Sequence, residues 1–360
     1  MPKIRVMVVD DAVVFRRLVS EELSNDPGLE VVGTAANGRI ALARLPQVSP
    51  DIVILDIEMP ELDGLATLKE LRKTYPRLPV IMFSALTERG AAATLDALAL
   101  GATDYFTKPA NAGPEGTLEV IREQLIPEVK ALCAGKLDER GPKQFAPSAA
   151  EPAPPTVRRA PVPPSPPHVL AIGTSTGGPN ALADVFRRIP ADFPLPILIV
   201  QHMPPMFTKL LAERMTAEFS VRVEEASSGK LLQPGRAWIA PGDHHMTVVR
   251  KQKQVHLQLN QDPPENSCRP AVDVLLRSIA KAYGANSLTV ILTGMGQDGR
   301  RGCEALRDAG GQIIVQDEAT SVVWGMPGAV ARAGLADRVL PLSLIGDEVL
   351  RRVQPDNVPK

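Results

Sequence analysis

Only three cysteines, Cys133, Cys268 and Cys303, occur in 360 residues. They are odd in number and widely separated, which excludes a disulfide framework or a cysteine-rich zinc site and fits reduced thiols. Aromatic residues make up 4% of the chain, too few for the stacking platforms that bind single-stranded nucleic acid. The formal charge is −1, which gives no global reason to expect a nucleic-acid partner. No apolar run approaches the ~18 residues of a membrane span. The start, Met1-Pro2-Lys3-Ile4-Arg5, leads straight into a strand and an acidic pair, with no signal peptide. These absences predict a cytoplasmic protein with no direct membrane insertion.

Proline, by contrast, is plentiful, and ten prolines fall between Pro142 and Pro167 among alanine, serine and charged residues. A stretch of that composition has no apolar periodicity, cannot bury a core, and acts as a semi-extended spacer. It divides the chain into a first domain, residues 1–132, a linker, 133–167, and a second domain, 168–360.

The first domain alternates strand and helix patterns. Strands are predicted at Ile4–Val9, Leu29–Thr34, Asp51–Leu55, Val80–Ser84 and Asp104–Thr107, with helical spacing after each and a last helix at Leu118–Leu132. Five such units predict a parallel sheet covered on both faces. Binding crevices of these sheets lie at the carboxyl ends of the strands. That edge receives Asp10, Asp11, Asp56, Ser84 and Lys108. A single aspartate there would be an ordinary helix cap. Three together repel one another unless a cation sits among them, and Mg²⁺ suits carboxylate oxygens with retained waters. Asp56 is then the candidate phosphoryl acceptor, with Ser84 and Lys108 binding phosphoryl oxygens. Thr107-Lys108-Pro109 also allows a cis peptide.

The second domain repeats the alternation, with outer strands at Val169–Ile172, Ile197–Val200, Leu288–Thr293 and Gln312–Val315. Its middle, Val221–Leu259, reads as an antiparallel insertion. Gly173-x-Ser175-x-Gly177 has the nucleophile-elbow spacing, although such a turn can also bind phosphate or simply connect elements. A serine nucleophile needs a base, and the base an orienting acid. Of the five histidines, His202 follows the strand Ile197–Val200 at the same edge as Ser175. His168 and His256 read as structural, and His244 and His245 lie in the insertion. Thr293-Gly294-Met295-Gly296-Gln297-Asp298-Gly299 brings Asp298 to that edge; Asp243 and Asp317 are weaker rivals. The order Ser, His, Asp differs from the common α/β-hydrolase order, in which the acid precedes the histidine.

Four motifs in order, Val8-Val9-Asp10-Asp11, Asp56-Ile-Glu-Met-Pro60, Phe83-Ser84-Ala85 and Phe106-Thr107-Lys108-Pro109, resemble a response-regulator receiver domain over roughly residues 1–125. The resemblance implies a flavodoxin-like (βα)5 fold, phosphorylation of Asp56 by a partner histidine kinase, and Tyr105 as an aromatic that reorients on activation. Ile172-Gly-Thr-Ser-Thr-Gly-Gly-Pro179, Gln201-His-Met-Pro204, Ala240-Pro-Gly-Asp-His-His-Met246 and Leu292-Thr-Gly-Met-Gly-Gln-Asp-Gly299 resemble the catalytic domain of CheB-type chemotaxis methylesterases. That resemblance implies a doubly wound, mostly parallel α/β domain without a cofactor. Ser175 becomes the nucleophile, His202 the general base and then acid, and Asp298 its orienting partner. The backbone amides of Met295 and Thr176 become oxyanion-hole candidates. The implied substrates are glutamate methyl esters on the cytoplasmic domain of chemoreceptors, with glutamine deamidation as a second activity. In Asn266-Ser-Cys-Arg-Pro-Ala-Val-Asp273 this chain has Cys268 and Ala271 where such relatives carry His and Ser. No histidine is near Cys268 in sequence, which argues against it as a nucleophile. The alternative is a receiver controlling a non-catalytic or DNA-binding output. A DNA-binding output would be a short basic module, which residues 168–353 are not. The tether further suggests that the unphosphorylated receiver covers the Ser175 cleft.

Overall fold

Two parallel sheets organise the residues that the computed structural model describes, 2–109, 113–140 and 165–353. In the first domain the order is β1 (Ile4–Val9), α1 (Val13–Asn25), β2 (Leu29–Ala35), α2 (Gly38–Val48), β3 (Ile52–Asp56), α3 (Gly64–Thr74), β4 (Val80–Ala85), α4 (Glu88–Ala99) and β5 (Asp104–Lys108). Helix α5 (Gly113–Val120) then passes through a π-helical turn (Ile121–Leu125) into α6 (Ile126–Arg140). The strands lie β2-β1-β3-β4-β5, all parallel. β1 and β3 alternate their apolar side chains between the two faces. Met7, Val9, Val53 and Leu55 enter one buried cluster, and Val6, Val8, Ile52 and Ile54 the other. Helices cover both faces, so these strands read as unbroken apolar runs.

Helix α6 continues to Arg140, past the Leu132 at which its sequence pattern fades. Gly141-Pro142 is the first strong stop signal in the sequence. Most of the Pro-rich stretch, 141–164, lies outside the described residues.

The second domain runs β6 (Val169–Thr174), α7 (Gly178–Phe186), β7 (Ile197–Gln201), α8 (Pro205–Glu218), β8 (Arg222–Glu225), β9 (Arg236–Ile239), β10 (His245–Lys251), β11 (Gln254–Asn260) and α9 (Val272–Tyr283). It continues with β12 (Ser287–Ile291), α10 (Arg300–Asp308), β13 (Gln312–Gln316), α11 (Met326–Arg332), β14 (Arg338–Leu340) and α12 (Leu342–Val353). Seven strands pair in parallel in the order β14-β13-β12-β6-β7-β9-β8. The antiparallel insertion is therefore smaller than the sequence suggests. Only β10 and β11 form it, while β8 and β9 extend the main sheet. β8 is an edge strand, so its partly solvated Arg-Val-Glu-Glu alternation imitates a separate ribbon. The chain winds one way from β6 to β7 and the other way from β12 to β13. That makes the β12–β6 boundary a topological switch point.

The two domains touch. Helix α4 and strand β5 pack on α7 and α8, and one buried apolar cluster includes Leu95 and Leu98 from the first domain with Leu182 and Leu211 from the second.

Candidate functional site

In the first domain the strand ends converge as the alternation requires. Asp10, Asp11 and Asp56 offer carboxylate oxygens that all lie within 4.8 Å of one another. Lys108 reaches in from the end of β5, its Nζ 2.8 Å from both Asp10 Oδ2 and Asp56 Oδ1. Burial pushes Asp56 up; Lys108 opposes this and the neighbouring aspartates add to it, leaving Asp56 at about 6. One lysine among three carboxylates leaves the pocket short of positive charge, and the all-oxygen donor set fits a hard divalent cation. The Ser84 hydroxyl is buried and donates to the carbonyl of Gly90 at 3.1 Å. The Lys108–Pro109 bond is trans; among the described residues a cis peptide lies at Arg269–Pro270.

Tyr105 faces the other domain. Its ring stacks on Phe207 of α8 with centroids 4.9 Å apart and planes 11° apart. Nearby, Arg214 of α8 pairs with Asp96 of α4 at 2.8 Å. Asp104, at the start of β5, shares a hydrogen bond with Glu128 of α6 and faces Thr176 and Gly177 of the serine turn. Burial raises both acids, Asp104 to about 6 and Glu128 well above the usual carboxylate range.

In the second domain β12, β6 and β7 are neighbours, and each carries one candidate at or just past its carboxyl end. Ser175 follows β6, half-buried, in a turn closed by Gly178 N–H to Ser175 O at 2.7 Å and Ser175 N–H to Thr293 O at 3.0 Å. Gly177 has φ +74°, a region L side chains rarely adopt. A Cβ on Gly294 would lie 2.8 Å from Ser175 Cβ, so the neighbouring loop approaches the serine only as glycine. Ser175 itself is not in the left-handed region; the sharpness of the turn resides in its glycines.

His202 follows β7, its amide bonded to Thr174 O at 3.2 Å. Its Nε2 lies 2.8 Å from Asp298 Oδ2, and its Nδ1 lies 3.6 Å from Cys268 Sγ. Burial alone would lower the imidazole. Hydrogen bonds and charge from Asp298 and Cys268 outweigh it and push His202 up to about 10.

Asp298 is the most tightly held group in the site. Oδ2 also accepts from the Val272 amide at 2.6 Å, and Oδ1 accepts from Asp273 N–H at 3.0 Å, Gly299 N–H at 3.0 Å and Asn266 Nδ2 at 2.8 Å. Val272 and Asp273 begin α9, whose N-cap Ala271 has no side-chain oxygen. Asp298 therefore caps a helix remote from its own, satisfying amides that would otherwise lack partners. Burial would raise its pKa, but His202 and these amides hold it below the usual carboxylate range.

The rival acids are engaged elsewhere. Asp243 is exposed and paired with Arg269, and Asp317 accepts from Thr320 within its own turn. His245 is buried between Pro263 O and the Ala271 amide. The amides of Met295 and Thr176 donate to no group among the described residues. Three supports escape a reading of the sequence: Asn266, the Asp104–Glu128 pair, and Gln201, whose Nε2 donates to Ser175 O at 3.0 Å and His202 O at 3.2 Å. Only the Gln201-His202 adjacency could have flagged the last.

A cation-seeking carboxylate pocket in one α/β domain and a serine–histidine–aspartate row at the switch point of another describe a receiver-like module joined to a hydrolase of the serine type. The CheB methylesterase family matches residues 170–349, and the response regulator receiver domain matches residues 6–114. The chain belongs to the CheB methylesterase family, and its first domain is a flavodoxin-like receiver. The protein-glutamate methylesterase/protein-glutamine glutaminase of Trichodesmium erythraeum (strain IMS101) is 54% identical to it, covering 98% of this chain and 100% of its own length. The protein of that name from Azospirillum brasilense is 45% identical, over 95% of this chain and 91% of its own. The crystal structure of the Thermotoga maritima CheB methylesterase catalytic domain is 41% identical with a TM-score of 0.51, covering 52% of this chain and 99% of that one.

Proposed function

We propose that this chain is a phosphorylation-regulated serine esterase of chemotaxis adaptation. It hydrolyses glutamate methyl esters on the cytoplasmic domains of chemoreceptors and deamidates receptor glutamines. The observation that carries this reading is His202, held by Asp298 at 2.8 Å on the strand next to that of Ser175. Full-length relatives bearing the name of that hydrolase favour it over a non-catalytic or DNA-binding output.

Ser175 Oγ attacks the γ-carbonyl carbon while His202 Nδ1 takes its proton, and Asp298 stabilises the imidazolium. The oxyanion meets the amides of Met295 and Thr176. Collapse passes the proton from His202 to the departing methanol, or ammonia, and leaves the acyl-serine. Water, deprotonated by His202, then releases the glutamate.

Control belongs to the receiver. Asp56 accepts a phosphoryl group from a chemotaxis histidine kinase, Lys108 and Ser84 contact its oxygens, and Asp10, Asp11 and Asp56 hold Mg²⁺. When bound, Mg²⁺ offsets the charge of the carboxylates and of the incoming phosphoryl group. Tyr105 reports the change to α8 through Phe207. The receiver's packing on α7 and α8 restrains the elbow until then. We assign residues 1–140, with the whole of α6, to the receiver, 141–167 to the linker and 168–360 to the catalytic domain, and place the protein in the cytoplasm, where its substrate helices lie. Among the described residues no helix is long and apolar enough to cross a membrane.

Ser175→Ala should abolish methanol release from methylated receptors while Asp56 still takes phosphate from a small phosphodonor. Surviving esterase activity would remove Ser175 from its role.

A further inference from the structure

Cys268 and His202 are 66 positions apart, yet Cys268 Sγ lies 3.6 Å from His202 Nδ1. The ring has two nitrogens, and Nε2 is occupied by Asp298. Nδ1 is therefore the nitrogen that must receive the Ser175 proton. Among the described residues no hydrogen bond joins the Ser175 hydroxyl to it, and the group in contact with Nδ1 is the Cys268 thiol.

The loop that presents the thiol is firmly set. Glu265 and Cys268 exchange backbone hydrogen bonds at 3.1 and 2.9 Å, with Asn266 (φ 53°) and Ser267 (φ 62°) left-handed between them. Arg277 of α9 grips Glu265 through both guanidinium nitrogens, at 2.7 and 2.5 Å, and Asn266 bridges Asp273 and Asp298 at 3.0 and 2.8 Å. The same amide that anchors the triad acid thus fixes the turn that aims Cys268. The other two cysteines are fully buried.

We propose that Cys268 is a positioning residue for the hydrolysis: its thiol holds His202 Nδ1 in a resting arrangement, and the Ser175 hydroxyl must displace it before attack. The inference rests on the reading of Ser175 and His202 given above. A thiol is a weak donor and a weak acceptor, so exchanging it for a hydroxyl costs little. No bond to sulfur is made or broken. The Ser175 proton moves to Nδ1, and the Nε2 proton stays on the hydrogen bond to Asp298. While the thiol is in place it also helps keep the imidazole protonated, and therefore idle as a base.

The test is the pH profile of kcat/KM for methanol release by the full chain, as wild type, Cys268→Ala and Cys268→Ser. Cys268→Ala should move the acid limb to lower pH; a shift of about one unit gives about a tenfold gain at a fixed pH below the limb. Cys268→Ser, which keeps a hydrogen-bonding group, should move it back towards wild type. An unmoved limb in Cys268→Ala, or a uniform loss of activity at every pH, overturns the proposal. Titration of His202 by NMR in the Ser175→Ala chain, with and without Cys268→Ala, needs no turnover. Identical titrations would sink the role of Cys268 by themselves. Residual hydrolysis by Ser175→Ala would instead sink the triad reading.

Discussion

The two sites occupy the same position, the carboxyl edge of a parallel sheet, and solve opposite electrostatic problems. In the receiver, three carboxylates crowd together, one lysine pairs with only Asp10 and Asp56, and Asp56 is pushed up to about 6. In the esterase, one carboxylate is met by four N–H donors besides His202 and sits below its usual range. The first is left short of positive charge and so can respond to a cation and a phosphoryl group. The second is over-determined, which suits a group that must orient a base without moving. A switch needs unsatisfied charge; a catalytic scaffold needs none.

Breaking the satisfied site should have the largest effect. Asp298→Asn replaces one carboxylate oxygen with an amide that cannot accept from both His202 and Val272. Turnover should fall by something like ~10⁴, by analogy with other triads. Because the same carboxylate caps α9, the midpoint of thermal unfolding should fall as well, by the equivalent of ~1 kcal/mol or more. A loss of only a few-fold in turnover would separate Asp298 from catalysis.

His202 supplies the pH dependence. The base works only when neutral and its pKa lies at about 10, so kcat/KM should rise with pH about tenfold per unit until that limb is reached. The sign for stability is the reverse. A raised histidine contributes fully below its unfolded value of ~6.5 and loses that contribution as pH rises through about 10. An acid limb at the ordinary histidine value would mean that Asp298 and Cys268 do not hold the ring as described.

The contact between the domains tests how the two sites communicate. Tyr105→Ala removes a stacked pair worth ~0.5–1.5 kcal/mol, so methanol release by the unphosphorylated chain should rise about 2- to 10-fold. Arg214→Ala breaks a partly exposed ion pair with Asp96, worth at most ~1 kcal/mol, and should raise basal release less than about fivefold. The catalytic domain alone, residues 168–360, bounds both effects. If it were no more active than the unphosphorylated chain, restraint by the receiver would be untenable.

Much of this was legible in the sequence because parallel strands buried on both faces leave continuous apolar runs, and chemistry gathers where those runs stop. Asp10, Asp56, Lys108, Ser175 and His202 all sit at such stops. What stayed hidden depends on side chains meeting across long separations. Asp298 reaches Val272 and Asp273 from 26 and 25 positions away and caps their helix, so its two readings, helix cap and triad acid, are compatible. The absence of a neighbouring histidine counts against Cys268, yet His202, just past the end of β7, lies 3.6 Å from its sulfur. The edge strand β8 was misread because an exposed edge alternates polar and apolar residues as an antiparallel ribbon does.

The most direct measurement is methanol release from methylated receptor membranes by the full chain, with and without a small phosphodonor, run beside Asp56→Asn. The account predicts release that rises with the phosphodonor in the wild-type chain and does not respond in Asp56→Asn. Equal release with and without phosphodonor in the wild type would contradict it, because the unsatisfied site would then have no hold on the satisfied one.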